Sequence, residues 1–185
     1  MPSSNTLART LHDVGLAAWF GGSLMGAVGV NGAAAQADDP TERSKIASAG
    51  WARWTPVNLV AIGAHLAGGT VILGANRARL TGQAGVGQAT AAKLVLTGAA
   101  LVATAYSRAL GQKVMDAGAP PVSGATEPSA STPPDVAAAQ SKLKAMQWAI
   151  PALTAGILVT NARLGEQQRP KEVVSGLLHR LNPAA

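Results

Sequence analysis

VGLAAWFGGSLMGAVGVNGAAAQA, residues 14–37, runs for 24 residues without a charged side chain. About 20 apolar residues cross a bilayer core as a helix, so this stretch predicts a membrane span, read over residues 12–36 with its flanks. Working outward, WTPVNLVAIGAHLAGGTVILGAN at 54–76 has His65 as its only ionisable group, and it predicts a second span over 54–77. Pro56 is expected in the first turn of that helix, where a missing N–H costs little. The third stretch is shorter, because only Leu94 to Ser107 is free of charge. It reaches spanning length over 88–110 if Lys93 lies along the helix and extends its ammonium to the headgroups. A fourth span is read at 143–163, with Pro151 inside it.

The composition agrees with that pattern. Of the 185 residues, 48% are hydrophobic and only 13% charged, about half the charge of an ordinary soluble domain, roughly 25%. The absence of cysteine excludes disulfides, thiolate metal sites and a cysteine nucleophile. A net charge of +6 comes from basic residues at helix ends rather than from one patch with interleaved aromatics, so nucleic acid is not an expected partner. The fold class is therefore all-α, a single domain over 1–185 forming an integral membrane four-helix bundle. The APPVSGATEPSASTPP segment reads as a flexible Pro-rich loop over 118–134.

After Pro170 the apolar residues Val173, Val174, Leu177, Leu178 and Leu181 recur at helical spacing, with Lys171, Glu172, Ser175, His179 and Arg180 opposite. This predicts a short amphipathic surface helix at 170–182, lying on the cytoplasmic membrane surface, against a partner, or packing back on its own bundle. Ala35-Gln36-Ala37 before Asp38 has the small-x-small look of a signal cleavage site, but the long apolar run and the weak positive region around Arg9 favour an uncleaved span. Lys and Arg divide eight to seven between the two faces, so orientation rests on the short acid-free loop from Arg77 to Lys93. Both termini are expected in the cytoplasm, with the 38–53 and Pro-rich loops outside and Trp51, Trp54, Tyr106 and Trp148 forming an outer aromatic belt.

His65 is the foremost candidate for chemistry, because an ionisable side chain at bilayer depth is a functional-site hypothesis by default. Three readings stay open: a neutral imidazole bonded to Ser23, Thr97, Thr104 or a neighbouring backbone carbonyl; a haem or quinone contact; or a proton relay. His12, counted along helix one, is expected about 20 Å from His65 along the membrane normal and so unable to share a haem iron with it. His179 lies too far away in the surface helix. No metalloprotease, nucleophile-elbow or Walker motif occurs, and no carboxylate lies inside a span, which argues against an enzyme or an ion-coupled pump. Asp13 beside His12 reads as a solvated helix-edge pair. Small residues fall at packing spacing: Ala18, Gly22 and Gly26 in helix one, with Ala64 and Gly68 in helix two. They form a face for close helix contact that suits internal packing and an external partner equally.

The LHDVGLAAWFGGSLMGAVGVN stretch, the cysteine-free, alanine-rich composition and the Pro-rich outer loop together resemble the small Ala/Gly-rich multi-helix accessory proteins of actinobacterial membranes. Among these, the nearest resemblance is to the prokaryotic respiratory supercomplex association factors of the mycobacterial cytochrome bc and cytochrome c oxidase assembly. The resemblance implies a non-catalytic accessory or assembly subunit of the bacterial inner membrane, without cofactors of its own, contacting larger integral membrane subunits and lipids. The alternative reading of the residues is a small haem-, quinone- or metal-binding membrane redox or transport protein using His65.

Overall fold

The computed structural model describes residues 5–181, apart from the side chains of Leu177, His179, Arg180 and Leu181. It is all-α but for one small hairpin. The elements are α1 (Thr6–Ala35), α2 (Pro40–Ala75), α3 (Arg77–Gly82), α4 (Val86–Asp116), β1 (Val122–Gly124), β2 (Glu127–Pro128), α5 (Pro134–Glu166) and α6 (Pro170–Leu181). Four of them, α1, α2, α4 and α5, are long and apolar enough to cross a membrane.

The four long helices run up and down as two antiparallel hairpins, α1 with α2 and α4 with α5. Contact between α1 and α5 joins the hairpins, whereas α2 and α4 barely touch. The bundle is thus closed along one side and splayed along the other. At the closed side Leu16 and Trp19 of α1 pack with Ile62, Ala100, Ala103, Ile150 and Ile157. Trp19 is fully buried, and its indole N–H donates to Thr104 Oγ1 at 3.2 Å, crossing from α1 to α4. A second small cluster of Val114, Val136 and Ala139 pins the far end of α4 to the start of α5.

Polarity is arranged opposite to that of a water-soluble bundle. His12, Asn31, His65, Gln140 and Thr154 are buried, while Leu59, Val60, Val95, Val102 and Val159 are each about 70% exposed on the outer faces.

Helix α2 is longer than the sequence reading. Residues 40–53, expected as an outer loop, are its first third, and Pro56 stands inside the helix rather than in its first turn. The start signals are all present: Asp39 caps, Pro40 opens, and Glu42 lies in the first turn, pairing with Lys45 at 2.7 Å. The Thr41 hydroxyl and N–H both donate to Asp39 at 2.7 Å, and together they hold its carboxyl below the usual carboxylate range. The cap therefore supports the helix above the ordinary carboxylate pKa and is lost as pH falls through the lowered one.

The Pro-rich loop, expected to be flexible, is instead folded onto the bundle. Gln140 donates to Gly124 O and Ala125 O at 3.1 Å, Thr132 to Pro121 O at 2.6 Å, and Arg43 to Ser123 O at 3.2 Å. Gly118 at the end of α4 and Gly85 before α4 adopt left-handed backbone, φ +77° and +79°, which glycine takes without a side-chain clash.

The aromatic belt also changes. Tyr106 and Trp148 are exposed, but Trp51 and Trp54 turn inward over α1. A Cβ on Gly22 would fall inside the Trp54 ring, and one on Gly26 inside the Trp51 ring. Gly26 opens a single π-helical turn, Gly26–Val30. The next residue, Asn31, accepts from the Trp51 indole at 2.8 Å and donates to Gln147 of α5 at 2.6 Å. Replacing Gly22 with Ala should lower the thermal midpoint in detergent by the equivalent of about 1–3 kcal/mol of overpacking. Gly21→Ala, whose new Cβ meets nothing within 4 Å, should be neutral or slightly stabilising. Equal midpoints for the two variants would contradict this packing.

Candidate functional site

The two helices of the first hairpin each carry the pattern His-x-x-Gly, at His12–Gly15 in α1 and His65–Gly68 in α2. Antiparallel packing brings these patterns together about a local two-fold axis. A Cβ on Gly15 would lie 2.7 Å from the backbone N of His65, and one on Gly68 would lie 2.6 Å from the backbone N of His12. Each glycine therefore lets the other helix's histidine backbone approach to a distance no side chain would allow.

Within that close approach the imidazoles stack, ring centroids 4.0 Å apart and planes 18° from parallel. His12 Nδ1 donates to His65 O and His65 Nδ1 donates to His12 O, both at 3.0 Å. A carbonyl can only accept, so each Nδ1 carries the hydrogen. In the neutral rings each Nε2 is then the acceptor. Lys93 Nζ donates to His12 Nε2 at 3.2 Å, and Asn161 Nδ2 reaches the same atom at 3.4 Å. Trp19 stands edge-on to His65, 6.2 Å between centroids, and closes the deep side.

This cluster lines a chamber of about 460 Å³ near the end of the bundle that holds the N-terminus of α1. Arg9, Asp13, Arg79, Thr90 and Thr97 complete its polar wall. Arg79 is tied to Gln167 O at 3.0 Å and Arg9 to Gln168 at 3.0 Å, so part of the basic charge is already committed to structure. Burial lowers the affinity of the Arg79 guanidinium for its proton, and the nearby Arg9 adds to the effect. Among the described residues no group of three or more His, Cys, Asp or Glu side chains converges on one point.

Two sequence expectations are corrected here. His12 is not about 20 Å from His65 but in ring contact with it, because α1 begins at Thr6 and residue 12 lies opposite residue 65 in the hairpin register. The argument from distance against a shared haem iron falls with it; the two rings lie face to face. Lys93 does not extend outward to headgroups; its ammonium turns into the chamber. His65 has the carbonyl partner expected among its readings, with the carbonyl supplied by His12.

The remaining candidates fall as follows. Gly22 and Gly26 meet Trp54 and Trp51, Gly68 meets His12, and Ala18 and Ala64 are half-buried, so this small-residue face is occupied within the chain. Helix α6 packs back on the bundle: Ala84 N donates to Gly176 O at 3.3 Å and Gln83 Nε2 to Glu172 O at 3.4 Å. Val173 is half-buried, while Val174 and Leu178 face outward at 57% and 61% exposure. The side chains of Leu177 and Leu181, and residue 182, lie outside the described residues. Sequence reasoning missed Gly15, Lys93 and Asn161 as members of one site. The repeated His-x-x-Gly was the signal that could have found the first.

Comparison with protein-family models, curated proteins and solved structures finds no match to this chain.

Because each imidazole bonds the other's backbone, His12 and His65 should act as one unit. His12→Ala and His65→Ala should each cost about 1–3 kcal/mol. The double variant should cost less than the sum, by a coupling of about 0.5–3 kcal/mol. A denaturation cycle giving additive losses would show that the two rings do not support one another.

Proposed function

We propose that this chain is a multi-pass protein of a bacterial inner membrane, with both termini in the cytoplasm. It serves there as a non-catalytic accessory or assembly subunit of a larger membrane complex, a respiratory cytochrome bc and cytochrome c oxidase supercomplex being the first candidate. The observation that carries the membrane reading is the outward apolar face of all four long helices. Only 22–33% of each apolar window is buried within the chain, and water would leave the rest without apolar cover. Lipid or the helices of larger subunits are the environments that suit it. Because the small-residue face of α1 is taken up internally, partner contact falls to the valine-rich outer faces of α2 and α4 and to Val174 and Leu178 of α6.

One observation favours the second reading, a small ligand-binding redox or transport protein using His65. An ionisable group enclosed among apolar helices is a functional-site hypothesis by default, and Lys93, His12 and His65 lie together in a chamber large enough for a small ligand.

A chain without native cysteine is suited to sidedness labelling. Ser131→Cys in the Pro-rich segment should react with a membrane-impermeant maleimide in intact cells, and Thr81→Cys only after permeabilisation. Equal labelling of both in intact cells would overturn the membrane reading. The tagged full-length chain, purified in mild detergent, should bring larger haem-containing subunits with it, identified by mass spectrometry and an optical spectrum. His65→Ala should leave that spectrum unchanged. A lone chain carrying its own chromophore, lost in His65→Ala, would replace the accessory reading by the second.

A further inference from the structure

The splayed side of the bundle holds a second cavity, of about 480 Å³, between α2 and α4. Its α2 wall is one helical face from Ser44 through Trp51, Trp54 and Asn58 to Ile62, about 27 Å long at 1.5 Å per residue. The α4 wall runs from Leu101 to Met115, and α5 provides the floor with Gln140 and Ile150. Most of this lining is apolar. Among the described residues, four buried side-chain polar atoms on it have no hydrogen-bond partner: Ser44 Oγ, Trp54 Nε1, Asn58 Oδ1 and Gln140 Oε1. Ser44 and Gln140 are 3% and 1% exposed. The Gln140 amide is fixed by its two bonds to the hairpin, which leaves its Oε1 unpaired. Buried polar atoms are seldom left without partners, and here they concentrate in one cleft.

Their placement has a pattern. Ser44 and Gln140 lie toward the Pro-rich hairpin, whereas Trp54 and Asn58, one turn apart, lie about 15–21 Å further along α2. At the inner station an indole N–H donor and a carbonyl acceptor come from residues one helical turn apart on the same cleft wall, the spacing at which a single hydroxyl accepts from one and donates to the other. At the outer station a hydroxyl and an amide oxygen call for a donor. Arg108 reaches the rim but is exposed. We propose that this cleft binds an elongated, uncharged amphiphile carrying hydroxyl groups at two points on an apolar body, one near Ser44 and Gln140 and one at Trp54 and Asn58. The cleft's volume is that of a small-molecule site, and its opening between α2 and α4 faces the region the membrane reading assigns to lipid.

The proposal rests on that membrane reading, but its test is separate: if the cysteine labels keep their sidedness and the ligand does not bind, the failure belongs to the cleft alone. Two probes suffice, ricinoleoyl- and oleoyl-monoacylglycerol, which differ by one mid-chain hydroxyl. Binding to the full-length Trp148→Phe chain in detergent is read as the change in tryptophan fluorescence, to which Trp51 and Trp54 on the cleft wall respond while the fully buried Trp19, outside the cleft, gives a constant background. The hydroxylated probe should saturate at one per chain and bind about tenfold tighter than the other, the worth of one good hydrogen bond. Asn58→Leu should erase that preference without lowering the thermal midpoint, because it removes an acceptor that has no partner among the described residues. Gly111→Leu, whose new side chain enters open space on the cleft wall, should weaken both probes at least tenfold. Gly98→Leu, away from the cleft, should not.

Equal affinity for the two probes, or full binding by Gly111→Leu, would overturn the proposal. So would an Asn58→Leu chain that keeps the preference or loses stability, since Asn58 would then act structurally or not at all. Solvent extraction of the natively purified chain separates the sources. A hydroxy acid released on ester cleavage identifies a hydroxylated acyl lipid, and a polycyclic alcohol identifies a terpenoid; either fits the cleft. An extract holding only the bulk phospholipids, in the same amount from Gly111→Leu, counts against it.

Discussion

The crossing of α1 and α2 at His12 and His65 sets the register on which the rest of the bundle depends. Two glycines let the backbones close, and two imidazoles then bond across the gap, each to the other's carbonyl. Neither half suffices alone. With side chains at residues 15 and 68 the carbonyls would be out of reach, and without the imidazoles the contact would rest on dispersion alone, the weak driving force that apolar helices have in lipid. Once residue 12 faces residue 65, residue 22 faces 54 and residue 26 faces 51. The two tryptophans are thereby carried onto the two glycines that can accept their rings.

That register explains which parts of the sequence were legible. Charge-free stretches located the cores of all four long helices, because the cost of a charge in an apolar environment is large enough to leave its mark in composition. Their lengths were not legible, because charge marks where a helix leaves the apolar zone and not where it ends. Residues 40–53 carry Glu42, Arg43, Lys45 and Arg53 and were read as a loop, yet Asp39, Pro40 and Glu42 spell a helix start. Capping chemistry was the better guide there, and hydropathy the worse one.

The misplacement of His12 has the same origin. Depth was counted from the middle of an apolar run, as though two antiparallel spans must share midpoints. Packing follows side-chain shape instead, and the backbones of α1 and α2 close on one another at Gly15 and Gly68. Trp51 and Trp54 misled in the opposite sense. Tryptophan near a span end is read as an interface anchor, but glycines at matched positions on the neighbouring helix make an interior socket the lower-energy place. A tryptophan can be assigned to belt or core only after the facing helix is known. In this chain the GxxxG spacing of Gly22 and Gly26 held that information.

The two ends of the bundle divide their polar groups differently, and the division follows from the same crossing. At the His12–His65 end the helices are drawn tight, and His12 Nδ1, His65 Nδ1 and His12 Nε2 meet carbonyls, Lys93 or Asn161. Toward the Pro-rich hairpin the two halves are joined by α1 against α5, with Asn31 bridging Trp51 and Gln147, and by the hairpin itself, which takes Arg43 of α2 and Gln140 of α5. Helices α2 and α4 are left apart, and among the described residues four polar side-chain atoms on the cleft between them stay unpaired. A chain able to satisfy a stacked histidine pair in its tightest contact has the means to pair a serine and an asparagine in a looser one. Their open valences are therefore better understood as addressed to something outside the chain than as defects of packing.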